Sequence, residues 1–363
     1  MEARDQKNFP ALTGLRGVAA LWVLVFHMHH APGLPVIAEG YSAVDLFFLL
    51  SGFVLSHVYL SRDDLTSGKG YGQFLLVRLA RIYPLHLFTL MWLGLIVVGI
   101  PNFAAIYHAS RQRFSTGAFV ANLFLVQNWG FWFPGNWNDP SWSLSAEWFA
   151  YLVFPLLLVT ARQIRATPWL LGLAASALTA TVFLLLLSGH SDTNAAGRAG
   201  MLRMAGEFPA GCLLYIAFAG GWRLPSLVGQ GAALLLLAVG LFLPSGAFAL
   251  VFAYALLVVL AAQGTNGCAG VLESRPLLYL GEISYSIYLT HWIIIQRFNW
   301  LTRHGPQNTN WSSDWTSDVL TLAAVFGVSV AIHHLIELPA RKWGRRLAHI
   351  YRESDVRVAV SQE

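Results

Sequence analysis

Residues 13–30, TGLRGVAALWVLVFHMHH, form an apolar segment that is long enough to enter a bilayer and carries ionisable side chains near both ends. On a helix, Arg16 and His27 share one face within about 20° and are separated by roughly 16 Å along the axis. Ionisable groups in membrane helices are costly and usually face a cavity or a partner. The segment therefore predicts a membrane helix with a functional face; a snorkelling arginine and an interfacial histidine are the alternative.

The composition of the whole chain favours a polytopic membrane protein. Of its 363 residues, 56% are hydrophobic and 11% are charged, and the mean hydropathy is +0.55, which excludes an ordinary soluble domain. Cys212 and Cys268 offer neither a disulfide framework nor metal-ligand spacing, so we expect no metal site. The net charge of +5 lies in loops between apolar segments, so it indicates topology rather than a nucleic-acid partner.

Segments of about 20 apolar residues predict an all-α fold with ten transmembrane helices. They cover residues 11–30, 42–60, 82–100, 142–160, 168–188, 203–219, 226–243, 246–263, 277–297 and 317–336. A shorter apolar stretch at 115–127 is predicted to be a half-helix or an interfacial segment. We expect residues 1–340 to form one membrane domain and residues 341–363 to form a basic cytoplasmic tail.

Basic residues predict the orientation of these helices through the positive-inside rule. With a cytoplasmic N-terminus, most arginines and lysines outside the spans fall in cytoplasmic loops and in the tail. Both termini are therefore expected in the cytoplasm. No small-x-small cleavage site follows Val25, so we expect the first span to be retained rather than removed as a targeting segment.

The outer ends of the first two spans carry a candidate general base. His27 and Asp45 are predicted at the same depth, and a carboxylate beside an imidazole fixes its tautomer and raises its basicity. A helix-capping role is the alternative for Asp45. His29 and His30 are rivals for the base, since His30 lies only about 40° from Arg16 on the helical wheel.

A basic motif precedes the third span. In VRLARIYP, residues 77–84, Arg78 and Arg81 share one face of a helix that approaches the membrane from the cytoplasm. Pro84 is expected to mark the turn into the span. Two guanidinium groups on one face favour a phosphate-bearing ligand, with purely topogenic charges as the alternative.

Polar side chains also interrupt two later spans. Glu147 lies about one and a half turns into the fourth span, where an unpaired carboxylate is costly. Ser284, Tyr288 and His291 share one face of the ninth span. An outer aromatic cluster is expected to be an interfacial belt or a glycan-stacking surface, and it comprises Trp129, Trp132, Trp137 and Trp142.

Two further acidic residues have structural interpretations. Arg203 and Glu207 are one turn apart and are expected to neutralise each other. Glu337 lies two residues before Pro339, so a helix stop beside an arginine cluster and a ligand contact are both possible roles.

Taken in order, these motifs resemble the acyltransferase-3 family of integral membrane acyltransferases over about residues 9–343. The motifs are LTGLRG with its arginine, ten residues and a histidine, then AVDLFFLLSGF, VRLARIYP, WSLSAEWFAYLVFP, EFPAG, LGEISYSIYLTHW and IELPAR. The chain departs from many relatives at SAEW, which lacks their second acidic residue near Glu147.

The resemblance implies transfer of an acyl group, often acetyl, from cytoplasmic acyl-CoA to a hydroxyl of an extracytoplasmic glycan or lipid-linked sugar. It also implies a plasma (bacterial inner) membrane location, acetyl-CoA as a co-substrate and no tightly bound cofactor. We predict a catalytic pair of His27 and Asp45, an acyl-CoA site of Arg16, Ser51, Arg78 and Arg81, an acceptor or pore-lining group of Trp142, Ser143, Glu147, Tyr288 and His291, and an uncertain role for Glu337.

In the predicted mechanism, the first, second, fourth and ninth helices line a pore in which His27 activates the acceptor for direct attack on the thioester. A relay through Ser51 or His27 is the alternative route. A proton- or anion-coupled transporter is a rival function for the same polar residues. An acyltransferase for a small hydrophobic acceptor, such as a macrolide, fits the same sequence. Acyl length, the acceptor hydroxyl and the oligomeric state stay open.

Overall fold

The computed structural model describes residues 9–28, 34–99, 113–130, 136–243, 246–264, 267–304 and 315–348. Within these ranges the chain is helical and contains no strand. Ten of the described helices have sixteen residues or more. The predicted all-α fold is therefore confirmed.

The helices follow the predicted spans closely. In chain order they are α1 (Pro10–Phe26), α2 (Pro35–Ala38), α3 (Ala43–Tyr59), α4 (Gly68–Gly99), α5 (Thr116–Leu123), α6 (Ser141–Ala161), α7 (Thr167–Leu187), α8 (Gly197–Ala219), α9 (Ser226–Phe242), α10 (Phe248–Gln263), α11 (Gly267–Leu272), α12 (Arg275–His304) and α13 (Trp315–Ile332). Short 3₁₀ turns cover Glu39–Ser42 and Asp64–Thr66. The eight-residue α5 falls within the predicted half-helix at 115–127.

Length and composition identify the membrane-spanning helices. Among the residues that the structure describes, five helical stretches are long and apolar enough to cross a bilayer, namely Pro35–Tyr59, Gly68–Gly99, Ser141–Ala161, Thr167–Leu187 and Thr316–Ala348. Three shorter apolar helices, α1, α9 and α10, accompany them. Helices α8 and α12 are equally long but carry more polar residues. The protein is therefore a polytopic membrane protein.

Two predictions about proline positions are wrong. Pro84 lies inside α4, which begins at Gly68, because a proline removes one backbone hydrogen bond without having to end the helix. Pro339 also lies inside a helix: after α13, a wider π-type turn at His333–Glu337 leads into helical residues up to 348. Part of the predicted tail is thus helical, and residues 349–363 lie outside the described residues.

Glycines bring the central helices into backbone contact. A Cβ atom on Gly281 of α12 would lie 1.9 Å from the Thr13 carbonyl oxygen of α1, and one on Gly52 of α3 would lie 2.0 Å from the Phe208 carbonyl oxygen of α8. Only glycine allows so close an approach, and small residues are typical of packed membrane helices. These contacts fix the pairs α1/α12 and α3/α8, which surround the candidate site.

Candidate active site

Two internal cavities meet inside this group of helices. The arginine cavity has an empty volume of about 890 Å³ and is lined by residues of α1, α3, α4, α6 and α12. The histidine cavity has an empty volume of about 520 Å³ and lies against α1, α3, α6, α8, α12 and residues 194–196. Val44 and Tyr288 line both cavities, so they mark the point where the cavities meet.

Three guanidinium groups face the arginine cavity, those of Arg16, Arg78 and Arg81. Arg16 donates a 3.0 Å hydrogen bond to the Ser284 hydroxyl. Arg78 donates a 3.3 Å hydrogen bond to the Tyr59 hydroxyl and lies 5.4 Å from the centre of that ring. Within the described part of the chain, none of the three arginines forms an ion pair. The cavity therefore presents positive charge.

Glu147 lies in the wall of the same cavity. Its Oε1 atom accepts hydrogen bonds from Ser51 at 2.8 Å and from Tyr151 at 2.5 Å. Both donors are neutral, and one carboxylate cannot balance three guanidinium groups. The structure thus places Ser51 beside the arginines, where it was predicted, and places Glu147 there too, although it was predicted in the acceptor group. It adds Tyr151, which the motifs did not single out.

His27 follows the last residue of α1 and lines the histidine cavity. Its Nδ1 atom lies 2.8 Å from the Val23 carbonyl oxygen, which can only accept, so Nδ1 carries the proton and Nε2 holds the lone pair. The His291 ring lies 5.0 Å away, and its Nδ1 atom bonds to the Ile287 carbonyl at 3.1 Å. His27 is therefore held in a tautomer that can accept a proton at Nε2.

Asp45 does not contact His27, contrary to the predicted catalytic pair. Its fully buried carboxylate accepts a 2.6 Å hydrogen bond from Arg203 Nε and a 2.7 Å hydrogen bond from the Thr193 hydroxyl. A buried carboxylate is stabilised most by a charged, geometrically matched donor, which the guanidinium supplies. The Val23 carbonyl, rather than Asp45, orients the imidazole.

Arg203 forms its ion pair with Asp45 rather than with Glu207. The carboxyl group of Glu207 is fully buried beside that of Asp45 and interacts electrostatically with Arg203. Arg203 also donates to the Ala195 carbonyl at 2.9 Å and lies 5.1 Å from the Trp142 ring centre. Arg203 therefore ties α3, α6 and the segment before α8 together around the histidine cavity.

Tyr288 and Ser143 form a polar contact where the two cavities meet. Ser143 Oγ donates a 3.1 Å hydrogen bond to the Pro140 carbonyl and lies 2.7 Å from the Tyr288 hydroxyl, so Tyr288 is the donor in that second bond. The Tyr288 ring packs edge-on against Phe47 at 5.9 Å. Because Tyr288 lines both cavities, this contact lies at the boundary between them.

Glu337 lies in the π-type turn at His333–Glu337, away from both cavity linings. Its Oε2 atom accepts from Ser286 at 2.9 Å and bonds to His333 Nδ1 at 2.8 Å, and its Oε1 atom is 3.4 Å from Arg341 Nη1. Glu337 therefore connects α12 to the last helix. His29 and His30, the rival bases, lie outside the described residues.

Charge pairs outside the cavities have ordinary structural roles. Arg62, in the loop after α3, bonds to Asp64, and this hydrogen bond raises the pKa of Arg62. Among the described residues, no group of three or more His, Cys, Asp or Glu side chains is placed to hold a metal ion. The chemistry available here is that of arginine, histidine, carboxylate and hydroxyl groups.

The sequence motifs missed Thr193, Tyr59 and Tyr151, and they gave Arg203 the wrong partner. The one feature that could have identified Arg203 is its charge within an apolar helix, which demands an acidic partner at the same depth. Nothing in the local spacing connects Arg203 to Asp45, 158 residues away.

The fold and the two cavities together define a polytopic membrane protein with an internal polar site. Residues 9–334 of the chain match the acyltransferase domain family Acyl_transf_3. The chain therefore belongs to this acyltransferase family, and the resemblance inferred from its motifs is confirmed.

Relatives of known name support the same class. The chain is 30% identical to Acyltransferase MdmB of Streptomyces mycarofaciens, and the match covers 93% of each chain. It is 25% identical to Peptidoglycan O-acetyltransferase OatA of Listeria monocytogenes, over 94% of this chain and 57% of the relative. It is 23% identical to O-acetyltransferase OatA of Staphylococcus aureus, over 80% of this chain and 51% of the relative. The chain thus spans only part of these O-acetyltransferases. No solved structure matches it.

Proposed function

We propose that this membrane acyltransferase moves an acetyl group from acetyl-CoA to a hydroxyl group of an extracytoplasmic glycan or lipid-linked saccharide. The single observation that carries the proposal is the meeting of an arginine-lined cavity and a histidine-lined cavity at Val44 and Tyr288. A donor and an acceptor can reach that point from opposite sides. Relatives named O-acetyltransferases, one of them acting on peptidoglycan, support the acetyl group and the glycan.

The donor occupies the arginine cavity in this proposal. Arg16, Arg78 and Arg81 supply guanidinium groups suited to the CoA phosphates. The pantetheine arm then extends along α1 toward Tyr288, over the roughly 16 Å that eleven helical residues span between Arg16 and His27. The thioester carbonyl is thereby placed where the two cavities meet.

The acceptor hydroxyl enters the histidine cavity. His27 Nε2 takes the hydroxyl proton while the oxygen attacks the thioester carbonyl carbon. The carbon–sulfur bond breaks, and the proton taken by His27 passes to the CoA sulfur, so the products are an O-acetyl ester and CoA thiol. No protein nucleophile is required, and trapping of an acyl-enzyme with acetyl-CoA alone would contradict this direct route.

The orientation that fits this chemistry places the arginine cavity toward the cytoplasm and the histidine cavity toward the outside of the plasma membrane. Both termini then lie in the cytoplasm, in agreement with the distribution of basic residues. Reporter fusions at either terminus of the full chain measure this orientation directly.

The test uses purified protein in detergent with acetyl-CoA and a disaccharide fragment of peptidoglycan. We expect CoA thiol release and an acetylated disaccharide, detected by thiol titration and mass spectrometry, and we expect His27→Ala to lose both. Envelope glycans from cells with and without the active chain supply the second measurement. If neither measurement shows acetylation and liposomes show solute flux without thioester cleavage, the protein is a transporter and the proposal is wrong.

A further inference from the structure

The last helical segment crosses α4 at the basic motif. A Cβ atom on Gly344 would lie 2.1 Å from the Cβ atom of Ala80, which stands between Arg78 and Arg81. From the sequence, this part of the chain was predicted to be a basic cytoplasmic tail. The structure places it directly against the arginine helix.

Arg341 lies on the face of the last helix that meets α4. It precedes Gly344 by three residues, so the two share a helix face. Arg81, Arg345 and Arg78 lie close enough to Arg341 to repel it, and Arg16 interacts electrostatically with both Arg81 and Arg341. Five guanidinium groups therefore gather at one end of the helix bundle; Arg345 is exposed, and the other four are partly buried.

The acidic groups at this end do not balance those five charges. Glu147 is held by the neutral donors Ser51 and Tyr151. Glu337 is shared between Arg341, His333 and Ser286. Like charges held together away from bulk water are costly unless an anion accompanies them. The cluster is thus built for a ligand with several negative charges.

CoA has that charge distribution, with a diphosphate in its middle and a 3′-phosphate at the adenosine end, far from the thioester. Three of the arginines line the arginine cavity. Arg341 lies outside that lining, and its side chain is 28% exposed. The guanidinium group of Arg341 is therefore placed to contact the 3′-phosphate, which is far from the thioester.

Building on the proposed acyl-CoA donor, we propose that Arg341 binds the 3′-phosphate of CoA and that Glu337 is the positioning residue for Arg341. The Oε1 atom of Glu337 faces Arg341 one helical turn away, while Ser286 and His333 fix its Oε2 atom. This gives Glu337 a function without direct contact to the substrate.

The test compares the binding of CoA and 3′-dephospho-CoA to the purified full chain by calorimetry. A charge-assisted phosphate contact predicts that the intact protein binds CoA about 10- to 100-fold more tightly than 3′-dephospho-CoA. In Arg341→Gln this ratio falls toward one because CoA binding weakens, while binding of 3′-dephospho-CoA is retained and reports a folded protein. Glu337→Gln lowers the same ratio partly.

Lys342→Gln is the matched control, since it removes one positive charge from the same helical turn at a position about 100° round the helix from Arg341 and about 160° from Gly344. It should keep the ratio of the intact protein. The assignment is overturned if Arg341→Gln weakens the binding of CoA and of 3′-dephospho-CoA equally. It is also overturned if Lys342→Gln lowers the affinity ratio as much as Arg341→Gln does.

Arg341→Lys covers the case in which the glutamine variant does not fold, because it keeps the charge and loses the bidentate fork. An intermediate ratio supports the proposal, and an unchanged ratio overturns it. If the intact protein binds neither ligand, the acyl-CoA donor itself is wrong. If it binds CoA and only the ratio test fails, the error lies in Arg341 alone.

Discussion

The arginine cavity and the histidine cavity differ in how their charges are balanced. Around the histidine cavity, Asp45 is paired with Arg203, and Asp139 is paired with Arg113 at 2.8 Å. What remains for a ligand is an imidazole with a free lone pair. Around the arginine cavity, the guanidinium groups outnumber the carboxylates and form no ion pairs among the described residues.

This difference fits two different kinds of ligand for the proposed reaction. An unbalanced positive cavity binds a polyanion, and its affinity should fall as salt screens the charges. A cavity with internally balanced charges suits an uncharged hydroxyl compound, which is recognised by shape and hydrogen bonds. Substitutions in the two cavities should therefore separate into effects on donor binding and effects on transfer.

His27→Ala is expected to give the largest difference between the effect on acetyl transfer and the effect on CoA binding. Loss of the general base should lower the rate of acetyl transfer about 10²- to 10⁴-fold and leave CoA affinity unchanged. Transfer is measured by product mass spectrometry and affinity by calorimetry. His334→Gln, at an exposed histidine that contacts Tyr279, is the control and should change neither quantity. A matching loss of CoA affinity in His27→Ala would mean that the two cavities are not separate sites.

Asp45→Asn tests whether the histidine cavity depends on its internal ion pair. Leaving Arg203 buried without its partner should lower the free energy of unfolding by about 3–5 kcal/mol, measured by denaturation in detergent. Asp139→Asn removes a more exposed ion pair and should cost about 1 kcal/mol or less. Unchanged stability with a lost transfer rate in Asp45→Asn would instead restore Asp45 to the catalytic role predicted from the sequence.

The contrast between these two aspartates also shows what the sequence could predict. Hydropathy located the spans, and motif order singled out the arginines, Glu147 and His27, which line the two cavities, because these depend on local pattern. The partner of Asp45 depends on how α3 packs against α8, 158 residues away in sequence, and on a loop hydroxyl at Thr193. Spacing along one helix suggested Glu207 for Arg203, since it cannot report which buried groups meet between helices.

Arg16→Gln tests whether the arginine cavity binds the donor, CoA. Removing one guanidinium from the arginine cavity should weaken CoA binding about 10- to 100-fold, with the transfer rate at saturating acetyl-CoA much less affected. Titration calorimetry and initial rates give the two values. Arg62→Gln, outside the cavity and paired with Asp64, should leave both values near those of the intact protein. If both substitutions weakened CoA binding equally, the arginine cavity would not be a specific CoA site, and the effect would come from general surface charge.

Tyr288→Phe has the smallest expected effect and tests the boundary between the cavities. It removes the hydrogen bond to Ser143 but keeps the ring, at a cost of about 0.5–1.5 kcal/mol. Acetyl-CoA hydrolysis without acceptor should rise by up to about tenfold, as water gains access to the thioester. Tyr279→Phe, at an exposed tyrosine of the same helix, is the control. No change in hydrolysis would show that the boundary lies elsewhere.

The glycine contacts of α1, α3, α8 and α12 have a consequence for how turnover proceeds. Backbones packed as closely as Gly281 on Thr13 and Gly52 on Phe208 have little freedom to slide, so the lining helices form a rigid frame. We therefore expect the route between the cavities to open through rotation of the Tyr288 side chain rather than through rocking of helix bundles. On the proposed function, acyl transfer would then need no alternating-access cycle.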